Sequence, residues 1–452
     1  MYKIILPIRY FIKKPISIAA VAAVTLCVFI VIVVMTVMTG LVGNFKAKNH
    51  RFVGDCVIVS DSLVGFAYYE DLLGRVNEQE FVKAATPVMK GFGLVTQNHA
   101  DWNVGIEIMG IEPKGYSAVT DFANSLHYHR KDSENALVPI NHPEKAGCVA
   151  GIDLAPLPWR RNMQGEYNHS MAPPSFELVI SSFPLTAKGA LASADTNPAS
   201  AMNFNYSDDS QTGLVRIDER MVYMSLANAQ KLCGADGAEK RASAIHIKFA
   251  EGISLADGLA KTDQIWQNFK KDTAGKKHAN LLDNVALQSW LSYRRISIAA
   301  MEKEQTMMAF VFIMLALITV FIILVIFYMV ISHKSRDIGI LRAIGVSKNS
   351  VAEIFLVFAG LIGTFGAAIG TAGALVFLWK LNAIEDMLFE RFGFQRFDKS
   401  VYAIGYLPSE INMPLIAIVI VSAVAVSMAG AILPTIQAAR RKPVETLQVN
   451  QL

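Results

Sequence analysis

Four stretches of this chain contain no aspartate, glutamate, lysine or arginine: between Lys14 and Lys46, Glu304 and His333, Glu353 and Lys380, and Glu410 and Arg440. Each exceeds the roughly 20 residues that cross a ~30 Å hydrocarbon core as a helix. Lipid offers backbone amides no partner, so such segments must be helical. The spacing therefore predicts transmembrane helices over residues 16–40, 307–331, 354–379 and 413–435. The first is an uncleaved anchor in this reading, because its apolar run is about twice the 7–15 residues of a signal-peptide core and no small-residue cleavage site follows.

Basic residues beside the membrane give the orientation. Lys3, Arg9, Lys13 and Lys14 precede the first helix, Lys334, Arg336, Arg342 and Lys348 lie between helices 2 and 3, and Arg440, Arg441 and Lys442 follow helix 4. Between helices 3 and 4, Glu385, Asp386, Glu390, Asp398 and Glu410 outnumber Arg391, Arg396 and Lys399. Both termini and the 332–353 loop are expected in the cytoplasm, and residues 47–303 outside. The expected organisation is a cytoplasmic segment 1–15, an outer domain with stalk over 41–306, the loop 332–353, a short outer loop 380–412 and a cytoplasmic tail 436–452, with the four helices between them. Membrane lipid is thus one partner. With 42 basic against 38 acidic residues, a strongly basic nucleic-acid binder is excluded.

The outer segment is long enough for a folded domain of one or two lobes. Residues 57–59, 106–111, 176–180 and 221–225 read as strands, and Ile245, Ile247 and Phe249 alternate with His246 and Lys248 as in a half-buried strand. Residues 226–232, stopped by Gly234, read as a short helix. Ser254 would cap a longer one bearing Leu255, Leu259, Trp266 and Phe269. The domain is α+β by this reading. Residues 155–175 and 184–213 are rich in Pro, Asn, Ser, Ala and Asp and look like loops or an insertion. Residues 285–306 are expected to be helical and to run into the second membrane helix as a stalk.

Several chemistries lack their motif. No GxxxxGK[ST] or HExxH occurs. Cys27, Cys56, Cys148 and Cys233 form no CxxC; one disulfide among the last three is open, with no pair preferred. His127, His129 and His142 cluster without metal-ligand spacing and read as surface histidines. No catalytic, cofactor or metal residue is assigned, and an enzyme in residues 47–303 has no motif behind it. Gly366 and Gly370 form a GxxxG, which lets two helix backbones approach, within the bundle or across a dimer. No acid or base sits mid-membrane, which argues against an ion-coupled transporter.

The loop from Ser332 to Ser350 is short and amphipathic, with Ile338, Leu341 and Ile344/Gly345 at helical spacing and Arg336, Asp337 and Arg342 around them. A helix of two turns is marginal alone. It gains stability by docking in a groove or by lying on lipid, and the residues alone leave the two open.

This stretch, SHKSRDIGILRAIGVSKNS, resembles the signature of the FtsX-like permease family, which includes LolC/LolE and the membrane part of MacB. Arg9-Tyr10, residues 37–41 (VMTGL), 432–440 (ILPTIQAAR) and 443–447 (PVETL) are similar to the family's first and last helices and flanks. Residues 104–115, ending GIEPKG, and residues 213–232, with Asp218 and MSLANAQKL, resemble the LolC/LolE branch, and residues 402–408 resemble the family's short segment before helix 4. The region 155–213 departs from that branch.

The resemblance implies a type VII ABC transporter permease: an α-helical membrane protein with four transmembrane helices and a large α+β extracytoplasmic domain between helices 1 and 2. It implies no enzyme in this chain, with ATP and Mg bound by a separate ABC ATP-binding subunit and a second permease subunit completing a homo- or heterodimer. Asp337, Ile338, Leu341, Arg342, Ala343, Ile344 and Gly345 would form the coupling helix. Leu341 and Ile344 would be its apolar knob, Asp337 or Arg342 its polar rim, and Gly345 would end or bend it. The implied location is the inner membrane and the implied function the release of lipoproteins to a periplasmic carrier, the carrier and client being further partners. Export of a peptide, toxin or drug as in MacB, and an FtsX-like gating of a cell-wall hydrolase, are the alternatives.

Overall fold

The computed structural model describes residues 15–97, 102–154, 167–170, 172–191, 200–333, 338–340, 343–392 and 412–440. The chain divides into two units, one of residues 1–43, 299–395 and 406–452, the other of residues 44–298 and 396–405. In chain order the main elements are α1 (Pro15–Arg51), β1 (Cys56–Ser60), β2 (Phe66–Ala67), α2 (Tyr69–Asn77), β3 (Val82–Gln97), β4 (Asn103–Ile111) and α3 (Pro113–Val119). There follow β5 (Gly147–Gly151), β6 (Glu177–Ser182), β7 (Ser200–Ser210), α4 (Val215–Arg220), β8 (Met221–Ser225), α5 (Leu226–Cys233), β9 (Arg241–Ala242), β10 (Ala244–Phe249) and α6 (Leu255–Thr273). Last come β11 (Val285–Ser289), α7 (Arg295–His333), α8 (Lys348–Phe392) and α9 (Met413–Arg440).

The helices α1, α7, α8 and α9 are long and apolar enough to cross a membrane, and each expected span lies inside one of them. Helix α8 is the most enclosed of the four, half of its apolar window being buried. Its small residues explain this. A Cβ on Gly363 would meet the Val424 Cα of α9 at 2.9 Å, so the two backbones nearly touch.

The other unit is a nine-stranded sheet in the order β11-β1-β10-β3-β4-β8-β5-β7-β6. The last strand, β6, also pairs with β3, from Gly93↔Ser182 to Gln97↔Leu178. Strands β3, β4, β8, β5, β7 and β6 therefore close a ring, and the first half of β3 leaves it to pair with β10. Alternation sorts the side chains. Ile106, Ile108, Cys148, Ala150, Val222 and Met224 join the larger core, while Met109, Ile111, Val149, Met221 and Tyr223 join a second one on the other face with Tyr116 of α3. The α+β reading and the expected strands and helices of the core are present. Ser254 caps α6 by accepting from the Asp257 amide at 3.1 Å, but Leu255 beside it is 38% exposed.

The two outer segments that resemble LolC/LolE meet in space. Gly110 is the penultimate residue of β4, and a Cβ there would lie 2.3 Å from the Ala229 Cβ of α5. Helix α5 is held in place by Ser225, which accepts from the Asn228 amide, and by Gly234 in the left-handed region at φ 69°. We expect Gly110→Val to destabilise the purified chain by about 1–3 kcal/mol, the usual range for overpacking a core. A thermal melt in detergent unchanged from wild type would contradict this contact. Asp218, buried in α4, accepts from the Thr212 amide (2.8 Å), the Thr212 hydroxyl (2.7 Å) and the Gly213 amide (2.9 Å). Burial still pushes its carboxyl up to about 6 against those hydrogen bonds.

Three expectations fail here. Residues 285–306 are not one helix: residues 285–289 are β11, paired with β1 from Cys56↔Ser289 to Ser60↔Val285, and α7 starts only at Arg295 after a turn at Trp290–Tyr293. β1 needs a second partner, and the Val285/Leu287 alternation supplies it. Residues 184–213 are not all loop, since β7 runs through Ser200–Ser210 with residues 204–210 buried. Its polar side chains are committed internally. Asp208 accepts from the amides of His127, Tyr128, His129 and Asp209 at 2.7–3.1 Å. His129 is consequently no surface histidine; it is 8% exposed, with Nδ1 3.3 Å from Asp208. All four cysteines are free. Burial pushes the Cys56 and Cys148 thiols up to about 12 and Cys233 up to about 11, which leaves them protonated and unreactive.

Candidate functional site

Helix α7 ends at His333, and helical backbone returns at residues 338–340 and 343. Ile344 donates its amide to the Ile340 carbonyl at 3.0 Å, and Gly345 then reverses the chain at φ 101°, a conformation that favours glycine. Ser347 opens α8 by accepting from the Ser350 amide at 3.2 Å. The segment is thus a short helical turn between two long helices, bounded by a left-handed glycine and a serine cap.

Its apolar residues divide between two directions. Ile338 is 3% exposed and belongs to the same buried cluster as Ile331, Val351 and Phe355. It anchors the turn, which corrects its expected place on the docking face. Ile344 is 76% exposed and Ile340 45%. Ala343 is exposed as well. Positions i and i+4 share one helix face, so Ile340 and Ile344 make one outward apolar patch. Ile340 was missed in the sequence, where spacing from Ile338 led to Leu341 and Ile344; the signal for it was the i,i+4 interval itself. Asp337, Leu341 and Arg342 lie outside the described residues, as do Arg9-Tyr10, 402–408 and 443–447.

Gly366 and Gly370 turn towards α1 of the same chain. A Cβ at Gly366 would meet Val24 Cβ at 2.7 Å, and one at Gly370 the Thr25 carbonyl oxygen at 2.7 Å. The Thr25 hydroxyl donates to the Gly366 carbonyl at 3.2 Å. Beside α1, Val24, Cys27, Val28, Phe312, Ile313 and Val419 help line a cavity of about 240 Å³ with no charged wall. Among the described residues no group of three or more His, Cys, Asp or Glu could hold a metal.

The turn and the helices around it match a known family. Residues 309–443 fit the model of the FtsX-like permease C-terminal domain. The chain is 25% identical over 262 residues to the lipoprotein-releasing system transmembrane protein LolC of Xylella fastidiosa strain Temecula1, covering 57% of this chain and 59% of that protein. It is 24% identical over 238 residues to LolC of Neisseria meningitidis serogroup B, covering 53% of each. LolE of Haemophilus influenzae is 24% identical over 161 residues, 36% of this chain and 39% of LolE. The chain thus spans less than two thirds of the length of these curated relatives. The periplasmic region of MacB from Actinobacillus actinomycetemcomitans aligns over 56% of this chain and 97% of its own, at 9% identity and a TM-score of 0.29, too distant to carry an argument.

Proposed function

We propose, from the FtsX-like permease domain that this chain carries, that it is the membrane subunit of an ATP-driven machine that releases lipoproteins from the inner membrane to a periplasmic carrier. The observation that carries the reading is the helical turn that holds Ile338, Ile340 and Ile344, inside the matched domain, with Ile340 45% and Ile344 76% exposed. An exposed apolar pair on a loop predicted to face the cytoplasm suits a groove on another polypeptide. That polypeptide would be the ATP-binding subunit, holding ATP and Mg.

In this reading a second permease subunit completes the assembly. Nucleotide binding moves the ATP-binding subunits, the 338–345 turns follow, and α1 and α7 carry the displacement to residues 44–298. Ile338 would fix the turn to the bundle, so that a push on Ile344 moves helices and not only a loop. Nothing need cross the membrane through the protein. The thermodynamic need for a motor is plain. Each buried CH₂ of an acyl chain contributes about 0.8 kcal/mol to membrane retention, and two or more chains make unaided release very slow. The apolar cavity beside α1 and α7 is of the chemistry that an acyl chain requires.

The test is depletion of the chain in its own cells followed by membrane fractionation. Lipoproteins held back in the inner membrane are the expected result. Normal lipoprotein sorting with altered drug or toxin sensitivity would overturn lipoprotein release in favour of another exported load. Normal sorting with misregulated cell-wall hydrolysis would instead favour a scaffold.

A further inference from the structure

In the domain of residues 44–298, Lys90 and Arg294 lie near one aromatic ring without an ion-pair partner among the described residues. Lys90 lies on β3, where its amide donates to the Ser243 hydroxyl at 2.9 Å. Arg294 closes the Trp290–Tyr293 turn, its amide donating to the Trp290 carbonyl at 3.0 Å. The Tyr293 ring is close to both, with Lys90 Nζ 4.3 Å and the Arg294 guanidinium carbon 5.5 Å from its centre. Among the described residues neither cation has a carboxylate oxygen within 4.0 Å. The nearest acid, Glu107, is taken by Arg216 at 3.2 Å. Arg294 Nε is shut off from solvent and donates to nothing.

The rest of the surroundings adds no negative charge. His246 faces Tyr293 with ring centres 5.9 Å apart. Its Nδ1 lies 2.8 Å from the Val53 carbonyl, which makes that nitrogen the protonated one, and burial pushes its pKa down to about 3. Tyr116 and Tyr223, buried beneath Arg294, are held protonated by burial. Burial first, and the neighbouring Arg294 second, push Lys90 down to about 7, with Glu107 offsetting only part. A protein interior does not usually keep two like charges together unless something of opposite charge is shared between them.

We propose that Lys90, Tyr293 and Arg294 form a binding site for a phosphate oxyanion, in which the terminal guanidinium nitrogens of Arg294 and the lysine ammonium donate to separate oxygens. An arginine fork beside a lysine point charge is the combination that phosphate groups select. Both residues are only partly covered, so the site opens to the surface. The phosphate is supplied by a lipid headgroup or by free phosphate, and the same two cations serve either. The site stands apart from the permease reading, since it needs no ATP-binding subunit.

The test uses the full chain purified in detergent. Inorganic phosphate is titrated against chloride at equal ionic strength, with the thermal midpoint as readout. In parallel, the chain is placed in phosphatidylcholine nanodiscs with and without phosphatidylglycerol, and bound lipid is read by native mass spectrometry. Wild type is expected to gain stability from one of the two probes, more strongly at pH 6 than at pH 8.5, because Lys90 is charged only below about 7. Lys90→Met and Arg294→Gln should each weaken that binding by about tenfold or more, as loss of a charge-assisted hydrogen bond does. Lys90→Met should melt no lower than wild type in chloride, which separates lost binding from lost folding. A response to inorganic phosphate alone identifies a free anion, and one to phosphatidylglycerol alone a headgroup. Equal behaviour of wild type and both variants towards both probes, or equal stabilisation by chloride, overturns the proposal.

Discussion

Gly370→Leu is expected to prevent the membrane unit from packing, with most of the protein lost from the folded fraction. The added Cβ would lie 2.7 Å from the Thr25 carbonyl oxygen and 3.0 Å from Val28 Cβ. The first obstacle is backbone, so no rotamer change relieves it. Water gives no help in driving helices together within lipid; close backbone approach does that work, and Gly366 with its 3.2 Å hydrogen bond from Thr25 depends on the same approach. The cost of forcing α1 and α8 apart exceeds the ~1–3 kcal/mol of ordinary overpacking, because the Gly366 contact is lost with it. Gly360→Leu provides the contrast, for a Cβ at Gly360 meets nothing within 4 Å. Size-exclusion profiles and melts of the two variants in one detergent decide the matter. Equal stability of the two would show that the GxxxG does not hold α8 to α1.

Ile344→Asp is expected to leave the chain folded and to abolish its coupling to an ATP-binding partner. The side chain is 76% exposed, so a carboxylate there costs the isolated subunit almost nothing. In a docked complex it would bury an unpaired charge where an apolar anchor belongs. Central apolar anchors of this kind contribute about 2 kcal/mol or more, about thirtyfold in association. Ile338→Asp should behave in the opposite way. Ile338 is 3% exposed within the buried cluster of α7 and α8, and a charge there unfolds the turn itself. Co-purification of the partner and ATP hydrolysis by the reconstituted complex are the measurements. Full hydrolysis and export with Ile344→Asp would remove the turn from the coupling scheme.

The membrane half of the architecture was legible because one physical quantity, freedom from charge over more than 20 residues, decides it. The strands at residues 57–59, 106–111 and 221–225 were legible for a similar reason, a short and largely apolar run. β7 was not, because Asn205, Ser207, Asp208 and Asp209 read as a loop until the amides of residues 127–129 arrive from a distant part of the chain to satisfy them. β11 was lost to helix because Val285-Ala-Leu-Gln-Ser289 suits either state, and only the empty flank of β1 decides. The loop after α7 was legible as a short helical segment but not residue by residue. Helical spacing places Ile338 and Leu341 near one face, yet which flank turns inward depends on where α8 lies, and that is tertiary information. The Lys90–Arg294 pair had no local signal at all, with some two hundred residues between its members.

The closing of β6 onto β3 bears on how this domain survives at high density. Among the described residues, every strand in the nine-stranded sheet except β11 has a neighbour on each flank for at least part of its length. A row of unsatisfied amides is what recruits neighbouring molecules into cross-β stacks. Here the strand left wholly open on one flank, β11, is five residues long and is followed at once by a helical turn. Crowded on a bilayer, copies of this domain offer one another almost nothing to extend.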